Sequence, residues 1–168
     1  MRFPADELLA IICIEATRSA TFVIGEDLGT VQDGVREALG SRSIARTRVL
    51  WFEPDPPDTW GADSLATATT HDLPTIAGVY NGTDGDVEQR AHLLAVASGD
   101  SAAAAVQTTH DALLASPARL RLLTMEDVCV SPERPNHPGT VGGANWRRLL
   151  PDAVDAIRFE RSSSSADE

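Results

Sequence analysis

Apolar residues in this chain alternate between a helical period and short continuous runs, and the switches mark its elements. From Pro4 to Arg18, Leu8, Leu9, Ile12 and Ala16 recur at helical spacing behind Pro4, Asp6 and Glu7, which suit a first turn. The pattern predicts a helix whose Leu8, Leu9 and Ile12 stripe packs on a sheet. Thr21 to Gly25 is a short apolar, partly β-branched run stopped by a glycine, as in a buried parallel strand. Val31 to Leu39 reads as a helix between Thr30 as cap and Gly40 as stop, with Val35, Ala38 and Leu39 inward. Arg48 to Phe52 predicts a second strand, and Pro54, Pro56 and Pro57 keep Glu53 to Trp60 as loop. Leu65 to Thr70 predicts a third strand, rich in Ala and Thr. Helices are expected over Val87 to Ala97 and Ala102 to Ala115. Pro117 then separates the second of these from a fourth strand, Leu120 to Met125.

Strands alternating with helices argue for an α/β fold with a parallel sheet and right-handed crossovers. Each expected strand is followed by a carboxylate: Glu26 and Asp27, Glu53, Asp72, and Glu126 with Asp127. Acids gathered at the carboxyl ends of parallel strands are the arrangement of a (β/α)₈ barrel, whose active site lies at that face. Such barrels take about 250 residues, and four strands in 168 residues predict half of one. Ser131 to Thr140, with three prolines and a glycine, reads as a structured loop, and 162–168 as a disordered tail.

Net charge narrows the partners. With 14 basic residues against 25 acidic, a net −11, no phosphate-tracking surface is expected and nucleic acid is excluded as a partner. A neutral polar ligand such as a sugar is compatible. Cys13 and Cys129 belong to no Cys-x-x-Cys pair and read as buried thiols in a reducing compartment, with no structural zinc. Leu8 to Ile14 lacks the positive flank of a leader, since Asp6 and Glu7 stand there, and no run reaches membrane-spanning length. The expected location is the cytoplasm, with no membrane contact.

Glu26, at the end of the first strand, is the first candidate for acid/base work; from spacing alone it could equally cap the following helix. Asp27 is the more natural capping or orienting partner. Asp72 is the second candidate, and His71 beside it could donate to a substrate hydroxyl or be structural. His110-Asp111, inside an Ala-rich helix, reads as solvated surface. Glu126-Asp127 fits capping and loop anchoring better than catalysis. Trp51 and Phe52 read as core. Trp60 and Trp146 lie in irregular segments that allow either core closure or sugar stacking, and Arg147-Arg148 reads as a solvated helix start. The sequence holds no Gly-rich phosphate loop, no Gly-x-Ser-x-Gly elbow and no His-Glu-x-x-His, so no cofactor or metal is expected.

Several segments, in order, resemble a known family. They are Phe3 to Ile11, Gly25-Glu26-Asp27-Leu28-Gly29-Thr30-Val31, Arg48 to Glu53, Thr69-Thr70-His71-Asp72-Leu73-Pro74-Thr75, Arg134-Pro135-Asn136 with Pro138-Gly139-Thr140, and Asn145-Trp146-Arg147-Arg148. Together they are similar to the carboxyl-terminal part of the 4-α-glucanotransferases (amylomaltases, disproportionating enzymes) of the α-amylase clan. The resemblance implies that residues 1–161 form the second half, strands five to eight, of a TIM-type barrel. It aligns Glu26 with the family's general acid/base, Asp72 with its transition-state-stabilising aspartate, and His71 with a sugar-binding neighbour. Asp27 matches the acid beside the proton donor, and Asn136 a contact in the glucan groove.

The same resemblance implies a retaining transfer of an α-1,4-glucan segment to the 4-hydroxyl of an acceptor glucan or glucose, with maltooligosaccharides as partners. The family's nucleophile, an aspartate in an Arg-Ile-Asp-His type motif at the end of the fourth strand, would lie upstream of Phe3. The expectation is that this chain is inactive alone and that an upstream polypeptide supplies the first half. Two alternatives remain: a non-catalytic glucan-binding or inert remnant, and another α-glucan-acting hydrolase of the clan. Half a barrel would also leave two strand edges and an apolar helix face open to association.

Overall fold

The computed structural model describes residues 4–151, 153–154 and 156–157. Phe3 and the expected tail, 162–168, lie outside them. In chain order the elements are α1 (Ala5–Arg18), β1 (Ile24–Gly25), α2 (Val35–Gly40), β2 (Ala45–Val49), a 3₁₀ turn (Pro57–Thr59), β3 (Ser64–Thr67), α3 (Ile76–Asn81), α4 (Val87–Val96), α5 (Ala102–Ala115), β4 (Leu120–Leu122) and α6 (Met125–Val128). The four strands form one sheet in the order β1-β2-β3-β4, and every pair is parallel. All four carboxyl ends therefore lie along one edge, as the strand–helix alternation predicts.

Residues in register share a face of the sheet. Gly25 pairs with Arg46 and Arg46 with Ser64, while Arg48, Ala66 and Arg121 line up two residues further on. A Cβ on Gly25 would stand 2.8 Å from Leu39 Cδ1, so α2 packs on this face at the one strand residue that leaves room for it. The opposite face carries Thr47, Leu65 and Leu120, then Val49, Thr67 and Leu122, and Leu120 and Leu122 are exposed there. The core runs from Val49, Leu50 and Trp51 through Ala66 and Ala68 to Ile76 and Val79 of α3, Leu93 of α4, and Val106 and Leu113 of α5. Trp60 closes it from the loop, its indole N–H donating to the Asp55 carbonyl.

Several expectations need correction. The α1 stripe does not pack on the sheet: Leu8, Ile11, Ile12 and Ile14 are exposed and no residue of the helix is buried. The reason is topological, since β1 is the last strand on that side among the described residues. The helix expected from Val31 starts only at Val35, behind Gly34 at φ 84°, and Thr30 does not cap it. The second strand lies three residues earlier than expected, because its register with β3 runs from Arg46 to Val49. Trp51 instead turns over to donate its indole N–H to the Pro74 carbonyl at 2.9 Å, and Phe52 is exposed.

The third strand is likewise shorter, ending at Thr67, and the fourth stops at Leu122 because Met125 opens α6. His110 is not solvated surface: it is 8% exposed, its Nε2 has no hydrogen-bond partner among the described residues, and burial lowers its pKa from 6.5 despite nearby Asp111. Cys13 and Cys129 are half-buried rather than buried. Arg147-Arg148 begins no helix, and Arg148 pairs with Glu133. Among the described residues no helix is long and apolar enough to cross a membrane.

Candidate functional site

At the end of β1 two adjacent acids part company. Glu26 is exposed at the carboxyl edge. Asp27 turns inward until its side chain is 1% exposed. Its Oδ2 accepts from Arg36 Nε at 3.0 Å and Arg46 Nε at 2.8 Å, while Oδ1 is buried without a partner among the described residues. Two guanidinium groups on one buried carboxylate oxygen supply the compensation that a buried charge requires. They fix the backbone from which Glu26 projects. At the end of β2, Arg48 from the strand pairs with Glu53 from the loop, the second carboxylate of this edge.

The segment after β3 is folded back on itself by its threonines. Thr67 Oγ1 donates to the Thr69 carbonyl at 2.9 Å and Thr69 Oγ1 to the Pro74 carbonyl at 2.8 Å. With Trp51 on the same Pro74 carbonyl, the loop has little freedom, and His71 and Asp72 protrude from it half-exposed. Asp72 Oδ1 accepts from Asn136 Nδ2 at 2.6 Å and lies 3.4 Å from His71 Nε2. The Asn136 backbone N–H donates to the His71 carbonyl at 3.2 Å, so one loop residue holds both.

Arg134 completes the clamp. It donates Nη1–H to the Asp72 carbonyl at 2.8 Å and Nε–H to Asp84 Oδ2 at 2.7 Å. Burial alone would raise the Asp84 pKa, but the Arg134 bonds and the Gly85 N–H outweigh it and hold the carboxyl below its ordinary 3.8. Behind this loop, Asp127 of α6 is buried and spans to α3: Oδ1 accepts from Ile76 N–H at 2.7 Å and Oδ2 from Thr124 Oγ1 at 2.9 Å. It anchors the loop as a cap, the role its acid pair suggested. Burial pushes its pKa up to about 6, against the lowering effect of the two hydrogen bonds.

His71, Asp72 and Asn136 are therefore brought together, at the end of β3. Glu26 and Asp27 lie at the end of β1, with β2 between, so the two strand ends are about 10 Å apart at ordinary strand spacing. Sequence reasoning missed Asp84, which sits in a Thr-Asp-Gly-Asp turn with nothing to link it to Arg134, 50 positions away. It also missed that Trp146 comes to rest against His71, with ring centroids 5.2 Å apart. A cavity of about 350 Å³ lined by Cys13, Phe22, Ile44 and Arg119 opens at the opposite, amino edge of the sheet and takes no part in this cluster. Among the described residues no group of three His, Cys, Asp or Glu could hold a metal ion.

Comparison with known proteins extends the geometry. The sequence model of a family described as 4-alpha-glucanotransferase matches residues 1–154. A protein named 4-alpha-glucanotransferase from Mycobacterium tuberculosis is 30% identical over 186 aligned positions, covering 88% of this chain and 26% of the relative. One of the same name from Haemophilus influenzae is 37% identical over 89 positions, covering 50% of this chain and 13% of its own. The crystal structure of amylomaltase from Corynebacterium glutamicum superposes with a TM-score of 0.70 at 26% identity, over 84% of this chain and 26% of that one. The chain thus spans about a quarter of the length of the Mycobacterium tuberculosis and Corynebacterium glutamicum relatives, and 13% of the Haemophilus influenzae one.

Proposed function

The chain belongs to the 4-alpha-glucanotransferase family, and from that premise we propose that it forms the acid/base half of a site for retaining transfer of α-1,4-glucan segments. Its four strands are then strands five to eight of a (β/α)₈ barrel. A polypeptide carrying strands one to four supplies the rest, the nucleophilic carboxylate included. The observation that carries the reading is the edge itself: Glu26 and Asp72, the two acids aligned with the family's pair, leave parallel strands at the same end with a single strand between them. Coverage of 26% or less of these relatives supports an unshared remainder.

The chemistry follows from the positions. A retaining transfer needs a nucleophile and an acid/base carboxylate about 5–5.5 Å apart on opposite sides of the reacting sugar. Exposed Glu26 gives its proton to the glycosidic oxygen as the bond to the anomeric carbon breaks and the partner's carboxylate bonds to that carbon. Glu26 then takes the proton of the acceptor's 4-hydroxyl as that oxygen displaces the carboxylate, so the proton count closes over the cycle.

Asp72 faces the oxocarbenium-like charge. Asn136 Nδ2 on one of its oxygens fixes the carboxylate's orientation and leaves the other oxygen to the substrate. His71 donates to a sugar hydroxyl from the same loop. Asp27 acts through the backbone, held by Arg36 and Arg46 beneath Glu26. No cofactor enters these steps, and the cytoplasm is the compartment proposed for them.

The test is product analysis. The chain, assembled with a polypeptide bearing the first four strands, is incubated with maltotriose. Glucose together with maltooligosaccharides longer than the substrate is the expected outcome. Glucose and maltose alone would indicate hydrolysis, and binding without any new product would indicate a glucan-binding remnant; either sinks the proposal.

A further inference from the structure

Trp146 is 65% exposed, yet its backbone is held in an uncommon conformation. It sits at φ 58°, a left-handed conformation that a bulky side chain adopts only where the surroundings impose it. Here they do. Its N–H donates to the Pro135 carbonyl at 2.9 Å. The preceding Asn145 accepts from His137 N–H at 3.1 Å and donates to the His137 carbonyl at 3.2 Å and to Thr140 Oγ1 at 2.8 Å. The effect is to stand a large aromatic ring in solvent rather than fold it into the core, where Trp51 and Trp60 already lie. The ring leans on His71, the two planes at 45°, beside Asp72. Among the described residues its indole N–H has no acceptor.

From this placement we propose that Trp146 is a stacking platform for one glucose unit of an α-glucan, next to the unit that meets His71 and Asp72. A pyranose presents a patch of C–H bonds that packs on an aromatic face and hydroxyls that reach a nearby donor. An exposed indole, with its ring face and its N–H, offers both. Strain maintained at an exposed aromatic, one ring away from the candidate acid, is the combination expected of a binding residue. The inference rests on the glucan reading above and adds to it a position and a ligand-facing surface.

The chain contains three tryptophans, and Trp51 and Trp60 are each 2% exposed, so acrylamide quenching of fluorescence reports Trp146 in the unmodified protein. With maltoheptaose as probe, quenching should fall at least about twofold on saturation. By calorimetry, Trp146→Ala should weaken maltoheptaose binding about tenfold, and Trp146→Phe should restore most of it, the ring face being the larger part of the contact. Near-UV circular dichroism from Trp51 and Trp60 checks that the variants keep the fold, and the quenching result stands even where a variant does not. Maltoheptaose that binds with unchanged quenching, or binds the Ala variant as tightly, overturns the platform and leaves the glucan reading in place. An absence of binding by heat and by quenching overturns both.

Discussion

Removing the charge of Asp127 should make the protein more stable near neutral pH. The carboxyl is buried, and its pKa rises from 3.8 to about 6, first because burial disfavours the ion and last because Glu126 is close; the Ile76 and Thr124 bonds work the other way. A folded-state value above the unfolded one means that between 3.8 and about 6 the folded protein holds a proton the unfolded chain has lost. Stability therefore falls as pH rises through that window and stays low above it. Two units at about 1.4 kcal/mol each amount to about 3 kcal/mol.

Asp127→Asn keeps an oxygen for Ile76 N–H and offers its amide to Thr124 Oγ1, so both hydrogen bonds can persist while the charge goes. Urea unfolding of both proteins at pH 4 and pH 7.5 isolates the effect, because every other titrating group, buried His110 included, is common to the pair. The variant should be more stable by about 2–3 kcal/mol at pH 7.5 and nearly equal at pH 4. A variant less stable at pH 7.5, or a difference that ignores pH, would show that the ionised carboxylate holds α3 and α6 together.

Two further outcomes test the scaffold beneath the site. Arg46→Ala should cost about 3 kcal/mol in denaturant unfolding, since it leaves Asp27 buried with only half-exposed Arg36 as partner; a loss below about 1 kcal/mol would mean water already reaches Asp27. Gly78→Ala would put a Cβ 2.6 Å from the Pro132 carbonyl oxygen, so α3 and the loop after α6 must separate. The expected loss is about 1–3 kcal/mol with a lower melting temperature, and an unchanged melting temperature would contradict the close approach.

What the sequence made legible were features local to a few residues. The apolar run ending at Gly25 located β1 and Glu26, and the helical period located α1, α4 and α5. The misplaced β2 shows the limit. Aromatic density at Trp51 and Phe52 outweighs Arg46 and Arg48 in any local reading, yet the arginines lie in the strand because Asp27 and Glu53 reach them from the loops. Such pairings are visible only after folding. The same holds for α3, a six-residue helix containing a glycine, whose first N–H groups are met by Thr75 and by Asp127, 51 positions downstream. The motif His71-Asp72 was readable, but the Asn136 and Arg134 bonds that orient it span more than 60 positions. The α1 stripe was read correctly as amphipathic and wrongly as covered, because periodicity reports a face and not its partner.

The central claim, that Glu26 is the proton donor and acceptor of a glucan transfer, meets its most direct test in Glu26→Gln. Glutamine keeps the shape and cannot carry the proton. In the assembled protein, the rate of maltotriose disproportionation should fall by about 10²–10⁴-fold, the usual worth of a positioned acid/base, while maltoheptaose affinity stays within a few-fold. Transfer at or near the unmodified rate would remove Glu26 from the chemistry.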